Sequence, residues 1–344
     1  MPNDRAGRGV QMKILVTGTA GFIGFHTFLA LRAANHDVLG VDNINSYNDV
    51  KLKLARLRVS GFDTDEVPPN RIIESSQGGR FAKIDIADRE EFQRLFAEEK
   101  FDVICHLAAQ PGVRYSLENP YAYIDSNIVA FLNVLECCRH YDVPHLVYAS
   151  SSSVYGNSKQ VPFTTDDPVN KPISLYAATK KADELMAYCY GHLYHFSTTG
   201  LRFFTVYGPW GRTDMAMFKF TKAILEEKPI DVYNYGNLSR DFTYIDDIVE
   251  GVRRIVCKPQ ETPGYHLYNI GHSSPVQLMD FIRAIEKVTG KKAILNMKEM
   301  QKGDVVTTWA DTTPLERDFG YSPQVGIEEG VEKFVKWYRS FYSC

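Results

Sequence analysis

Tyr176-Ala177-Ala178-Thr179-Lys180 sets a phenol and an ammonium at positions i and i+4, on one face of a helix. A phenol is a weak base near neutral pH, and a cation held beside it favours the phenolate. Such a pair is suited to taking a proton from an alcohol. Upstream, Ser150-Ser151-Ser152-Ser153-Val154-Tyr155-Gly156 follows an apolar run, 145–149, that reads as a strand. Each stretch alone has an ordinary reading, a surface tyrosine beside a solvated lysine or a polar turn. The combination is more specific, because the serines fall at the carboxyl edge of a strand, where open α/β sheets bind ligands.

A second constellation lies near the N-terminus. Thr17-Gly18-Thr19-Ala20-Gly21-Phe22-Ile23-Gly24 follows an expected strand, Lys13–Thr17, and opens an amphipathic helix carrying Phe22, Ile23, Phe28, Leu29 and Leu31. Gly18, Gly21 and Gly24 allow a tight turn and close backbone approach to a diphosphate, whose charge meets free N–H groups at the helix start. The bland alternative is a strand-to-helix turn without a ligand. Against it stands Asp42, with Asn43 beside it, at the end of the next strand. A carboxylate there accepts both ribose hydroxyls of NAD and repels the 2′-phosphate of NADP; residues 43–50 contain no Arg or Lys to offset it. NAD is therefore the expected cofactor. Asp85 and Ile86 are placed to meet the adenine. Leu107, Ala108 and Ala109 offer small or apolar side chains where the cofactor crosses the sheet edge, and Phe203 belongs to the same surface.

The elements that must hold these groups alternate short β-rich runs with longer helical patterns. Strands are expected at Lys13–Thr17, 37–41, Arg80–Lys83, Val103–His106, 145–149 and Ser197–Phe203. This is the pattern of an α/β protein, a Rossmann-type doubly wound parallel sheet. Between 117 and 141, Tyr121, Ile124, Ile128, Phe131, Leu132 and Leu135 recur at helical spacing, with Pro120 in the first turn, and predict one long helix. After Thr205 the pattern becomes a smaller mixed α/β C-terminal lobe: a Gly/Pro-rich loop, a helix near 215–227, and a terminal helix over 328–342 that packs its aromatic face inward. Tyr265–Ile270 is apolar enough to rejoin the main sheet. The expected division is a dinucleotide domain, 12–204 plus about 242–272, and a substrate lobe, 205–241 plus 273–344. Residues 1–11 read as a disordered tail.

The composition narrows the function classes. The chain has 344 residues, 44% hydrophobic and 24% charged, which suits one or two folded domains rather than a disordered chain. Lys plus Arg number 39 against 42 Asp plus Glu, a formal charge of −3, so nothing points to nucleic acid or an acidic membrane as partner. No apolar run is long enough for a spanning helix. The six cysteines lack CxxC spacing and read as reduced thiols in the cytoplasm. Cys137-Cys138 reads as helix packing. His192 and His195 lack a third ligand nearby, so no metal site is expected.

On these motifs the chain resembles the extended short-chain dehydrogenase/reductase superfamily, and within it the nucleotide-sugar 4-epimerases, over residues 12–342. Three stretches resemble the UDP-glucuronate 4-epimerase branch: His106-Leu-Ala-Ala-Gln-Pro-Gly-Val-Arg-Tyr-Ser116, Gly208-Pro-Trp-Gly-Arg-Thr-Asp-Met-Ala216, and Gly320-Tyr-Ser-Pro with Ile327-Glu-Glu-Gly-Val. The branch more often has Ala at 111 and Pro at 213. The resemblance implies Tyr176 as base, Lys180 as its electrostatic partner and Ser151 as the hydroxyl orienting the sugar O4. It also implies that Arg240 contacts the UDP diphosphate and Asp304 the uridine ribose. Thr205 and Gln301 stand where relatives acting on neutral hexoses usually carry Asn and Arg. Thr205 leaves room for a C5 carboxylate and donates a hydrogen bond to it, and Arg212 offers a planar fork suited to bidentate carboxylate binding. Dehydratases and decarboxylases of the superfamily carry acids just after the Ser/Thr, where this chain has Ser152 and Ser153. Arg114 has two readings, substrate contact or a surface ion pair.

The resemblance thus implies interconversion of UDP-glucuronate and UDP-galacturonate through a 4-keto sugar, by a homodimer paired through the 118–141 helix and the Tyr176 helix. The alternatives are a 4-epimerase of another UDP-hexose, a UDP-glucuronate decarboxylase, and a non-enzymatic NAD-sensing module, which would be expected to lack the Tyr/Lys pair.

Overall fold

The computed structural model describes residues 11–258, 263–301 and 304–344, so most of the expected N-terminal tail lies outside the described residues. The chain runs β1 (Lys13–Thr17), α1 (Phe22–Ala33), β2 (Asp37–Asp42), α2 (Val50–Val59), β3 (Ile72–Glu74), β4 (Arg80–Lys83), α3 (Arg89–Glu98) and β5 (Val103–His106). A short turn, α4 (Tyr115–Glu118), leads into α5 (Pro120–Tyr123), a π-helical stretch Ile124–Val129, and α6 (Ala130–His140). Then come β6 (His145–Ser151), α7 (Leu175–Tyr194), β7 (Ser197–Phe203), β8 (Thr205–Tyr207), α8 (Ala216–Leu225), β9 (Pro229–Val232), β10 (Ser239–Arg240), β11 (Phe242–Tyr244), α9 (Ile245–Val256) and β12 (Tyr265–Ile270). The chain closes with β13 (Val276–Gln277), α10 (Leu278–Thr289), β14 (Ile294–Met297), α11 (Thr313–Phe319) and α12 (Ile327–Tyr342).

Eight strands form one sheet in the order β12-β7-β6-β5-β1-β2-β4-β3, parallel throughout except for the edge pair β3–β4. Because both faces are covered by helices, the central strands are near-continuous apolar runs; Ile14, Leu15, Val16, Val103, Ile104 and Cys105 are fully buried. The order in which successive strands are laid down reverses between β1 and β5, which opens a crevice at their carboxyl ends. Tyr265–Ile270 does return to the sheet, beside β7 in register Tyr265 to Thr198. The short strands of the C-terminal half pair separately, β8 with β11, β9 with β14 and β10 with β13. No helix among the described residues is long and apolar enough to cross a membrane.

Two sequence expectations change. The edge strand β3 is absent from the sequence expectation: two half-buried residues and one exposed residue carry too little pattern to register. The long helix expected over 117–141 starts at Pro120, capped by the Asn119 side chain, while Leu117 belongs to the separate turn before it. It is apolar on two sides. Phe131, Val134 and Leu135 face the sheet, but Tyr121 is 79% and Leu132 41% exposed.

Candidate functional site

The glycine turn sits at the crevice. Gly18 has φ +74°, and a Cβ there would lie 2.8 Å from the Ala108 main-chain nitrogen; one on Gly24 would lie 2.1 Å from the Gly18 carbonyl. The turn and the segment after β5 are thus in backbone contact, a fit that only glycine permits. Thr17 Oγ1 accepts from the main-chain N–H of Leu107 and Ala108, both at 3.1 Å, and contacts His106 Nδ1 at 2.9 Å. Burial pushes the His106 imidazole down to about 3, so it is neutral and accepts there. Helix α1 begins with neither an acidic residue nor a side-chain cap in its first turn, leaving its N–H groups for an anion. Asp42 accepts from Ala20 N at 3.1 Å and Ile44 N at 2.8 Å, which locks its carboxylate at the end of β2. The turn, the uncapped helix start and the carboxylate fit a dinucleotide.

The helix that presents Tyr176 is fixed from below. Ser174 caps it through Ala177 N, and Lys180, 2% exposed, reaches the Ala149 carbonyl at the end of β6 and Asp183, both at 3.0 Å. Burial pushes the Asp183 carboxyl up to about 6 against the pull of Lys180. One turn on, Glu184 accepts from Ser150 Oγ at 2.7 Å and from Arg202 through Nε at 2.8 Å and Nη2 at 2.9 Å. Arg202 also reaches the Tyr155 hydroxyl, which donates to Asn269 at 2.6 Å. This buried network ties α7 to β6, β7 and β12, so the phenol and the serine edge share one rigid frame. From the other side, the π-helical stretch turns Asn127 inward, where it bonds the Gln110 main chain and Thr179 Oγ1.

One cleft of about 470 Å³ brings most of the expected residues together. Gly18, Gly21, Phe22, Ile23, Gly24, Asp42, Asn43, Asp85, Ile86, Leu107, Ala108, Ala109 and Phe203 line one part. Ser151, Ser152, Ser153, Tyr176 and Lys180 line its centre, with Thr205, Arg212, Arg240 and Asp304 completing it. Ser151 Oγ accepts from Ser153 N at 3.2 Å, and Ser153 Oγ is buried without a protein partner. Arg240 is anchored by the carbonyls of Ser239 and Val306.

Three of the expected residues sit differently from the rest. Gln301 is not among the residues lining the cleft, and its Oε1 is buried without a hydrogen-bond partner among the described residues. Arg114 does not line it either: the guanidinium is drawn to Asp304 at 3.5 Å and lies 5.4 Å from the Tyr233 ring centre. Its two readings merge, since the acid it pairs with is itself a cleft residue. Arg212, finally, is not a free fork. Its Nε and Nη2 bond Asp214 at 3.0 and 2.6 Å, and Tyr47 donates to the same carboxylate at 3.3 Å. Burial raises the Asp214 carboxyl, but Arg212 outweighs it and holds it below the usual range.

Sequence reasoning missed Tyr47, Lys53 and Arg56, which also line the cleft. Lys53 and Arg56 are i, i+3 on α2 and both buried; the spacing was readable, but a basic helix face is ordinarily solvated, and only packing shows otherwise.

Residues 14–271 match the model of the NAD dependent epimerase/dehydratase family, and the chain belongs to that family. It is similar to Protein CapI of Staphylococcus aureus, 51% identical over 96% of this chain and 99% of that protein. A protein described as a probable UDP-glucuronate 4-epimerase of Rhizobium meliloti is 44% identical over 96% and 98%. Among solved structures, the UDP-glucuronic acid 4-epimerase from Bacillus cereus in complex with UDP-glucuronic acid and NAD superposes with a TM-score of 0.86 at 33% identity, covering 96% of this chain and 100% of that one.

Proposed function

We propose that this chain is an NAD-dependent 4-epimerase that interconverts UDP-glucuronate and UDP-galacturonate. The observation that carries the reading is the single cleft in which the glycine turn, Tyr176 with Lys180, and the Ser151–Ser153 edge open on one space, in a chain that shares its fold with a UDP-glucuronic acid 4-epimerase. NAD, when bound, supplies the acceptor for the C4 hydride and later returns it. Tyr176 takes the O4 proton as that hydride leaves, and the Lys180 cation, fixed by Ala149 and Asp183, stabilises the phenolate. Ser151 orients O4. Arg240 and Asp304 hold the diphosphate and the ribose while the 4-keto sugar turns over to present its other face, and Tyr176 gives the proton back.

The 4-keto uronate is a β-keto acid and loses CO₂ readily. Ser152 and Ser153 cannot act as carboxylate acid/base groups, so neither supplies the C5 proton chemistry of a dehydratase, and binding of the sugar carboxylate by fixed hydroxyls disfavours its loss as CO₂. Thr205 and these serines bind the sugar carboxylate, with Arg212 joining them only by exchange with Asp214. The division into a dinucleotide domain and a lobe of 205–241 plus 273–344 belongs to the same proposal. So does a homodimer: Tyr121, Leu132, Leu185, Tyr188 and Leu193 leave an exposed apolar face on α5–α6 and α7. The buried free thiols Cys105, Cys137 and Cys138 suit a reducing cytoplasm.

The deciding experiment is incubation of the purified protein with UDP-glucuronate and, separately, UDP-glucose, with no added reductant. UDP-galacturonate is the expected product, with at least about tenfold preference for the uronate. Equal turnover of UDP-glucose, or a UDP-pentose as main product, rejects the assignment.

A further inference from the structure

Arg56 is 3% exposed, lines the cleft, and forms no ion pair among the described residues. Every partner it has is a main-chain carbonyl: Nη1 donates to Ala20 at 2.8 Å, Nε and Nη2 to Trp210 at 3.1 and 2.6 Å, and Nη2 to Gly211 at 3.5 Å. Ala20 belongs to the glycine turn, and Trp210 and Gly211 to the loop 208–215. One guanidinium therefore clips that loop to the turn.

The loop is built to be clipped. Trp210 has φ +63°, a left-handed backbone that a bulky residue seldom adopts, and its ring is seated against Phe25, Trp337 and Phe341 at 5.0–5.7 Å between centres. His26, kept neutral by burial at about 4, meets the Pro209 carbonyl at 3.1 Å, Tyr47 holds Asp214, and Thr213 holds Asn48 at 3.0 Å. Carbonyls satisfy the donors of a buried guanidinium without neutralising its charge. The acids nearest it are held away from it by main-chain donors, Asp42 by Ala20 N and Ile44 N, Asp49 by Lys51 N and Leu52 N, so they act on it only through their field. Asp214 answers Arg212, while Lys53 and the acid-free start of α1 add further positive potential. The guanidinium thus lies at the cleft with no carboxylate in contact with it among the described residues.

We propose that Arg56 is a cofactor-retaining residue, the counter-ion of the dinucleotide diphosphate and at the same time the clip that shuts loop 208–215 over it, so that cofactor and loop release together. The proposal rests on the NAD reading above. Its test compares Arg56→Met and Arg56→Lys with wild type by NAD content of the purified chain, by the rate of NAD loss into an excess of NAD-hydrolysing enzyme, and by the difference in Tm between NAD-saturated and stripped protein. Arg56→Met should weaken NAD by about 10- to 100-fold and shrink the Tm difference. Arg56→Lys, which keeps the charge but not the fork, should lose less affinity yet release NAD faster than wild type. Wild-type content and release rate in both variants overturns the proposal, as does an equal fall of Tm in both states with their difference unchanged, which is the mark of a purely structural tie. Should the methionine variant fail to fold, Tyr47→Phe loosens the loop without touching Arg56, and an NAD release rate no faster than wild type there overturns the clip. A wild-type chain that binds no NAD would instead overturn the functional reading.

Discussion

Asp214 is expected to hold substrate selectivity below what Arg212 could give. The Arg212 fork lies on Asp214 through two hydrogen bonds at 2.6 and 3.0 Å, with 24% and 34% of the two side chains exposed. A sugar carboxylate that recruits Arg212 must displace one carboxylate with another, so little is gained. Removing Asp214 frees the fork. A charge-assisted pair contributes about 1.5–3 kcal/mol when shielded, and solvent access at this exposure reduces it to roughly 1–1.5 kcal/mol. At 1.4 kcal/mol per factor of ten, Asp214→Ala should raise the ratio of kcat/KM for UDP-glucuronate over UDP-glucose by about five- to tenfold, and Asp214→Asn by less. The ratio is the right measure because both substrates see the same fraction of NAD-loaded enzyme, whatever the lost Tyr47 contact does to the loop. A ratio that stays constant or falls in Asp214→Ala refutes the exchange and leaves the hydroxyls as the carboxylate site.

Tyr176→Phe should lower turnover by about 10²–10⁴-fold while UDP-sugar affinity measured by calorimetry stays close to wild type; Ser151→Ala should do less harm, and near-normal turnover in Tyr176→Phe removes the phenol from the mechanism. Gly24→Ala puts a Cβ 2.1 Å from the Gly18 carbonyl, where no flexible side chain can yield, and should strip the chain of NAD; Gly326→Ala, with nothing within 4 Å, is the neutral control, and an NAD-loaded Gly24→Ala protein contradicts the geometry. The Asp183 carboxyl titrates near 6 in the folded chain and near ~4 unfolded. Between those values the native state holds more protons, so the stability of wild type relative to Asp183→Asn should fall as pH rises from 4 to 6 and level off above. Denaturant midpoints across that range measure it, and a difference that rises with pH reverses the assignment.

Parallel strands buried on both faces are continuous apolar runs, and six of the eight sheet strands were legible in sequence for that reason, as was Tyr265–Ile270 as a candidate seventh. The glycine turn and the Tyr176/Lys180 pair were legible because local backbone geometry and helical period impose their spacing. They need no knowledge of what packs against them. What the sequence could not rank was competition among charges. Arg212 has a fork in any reading, but only folding sets Asp214 on it, and Arg114 could not choose between substrate and acid until Asp304 stood opposite. Arg56 looks like part of a solvated helix face until the 208–215 loop reaches it from more than 150 residues along the chain. Local propensity is decided by neighbours in sequence. The partner of a charge is decided by whichever segment desolvates it, and that is a property of the tertiary structure alone.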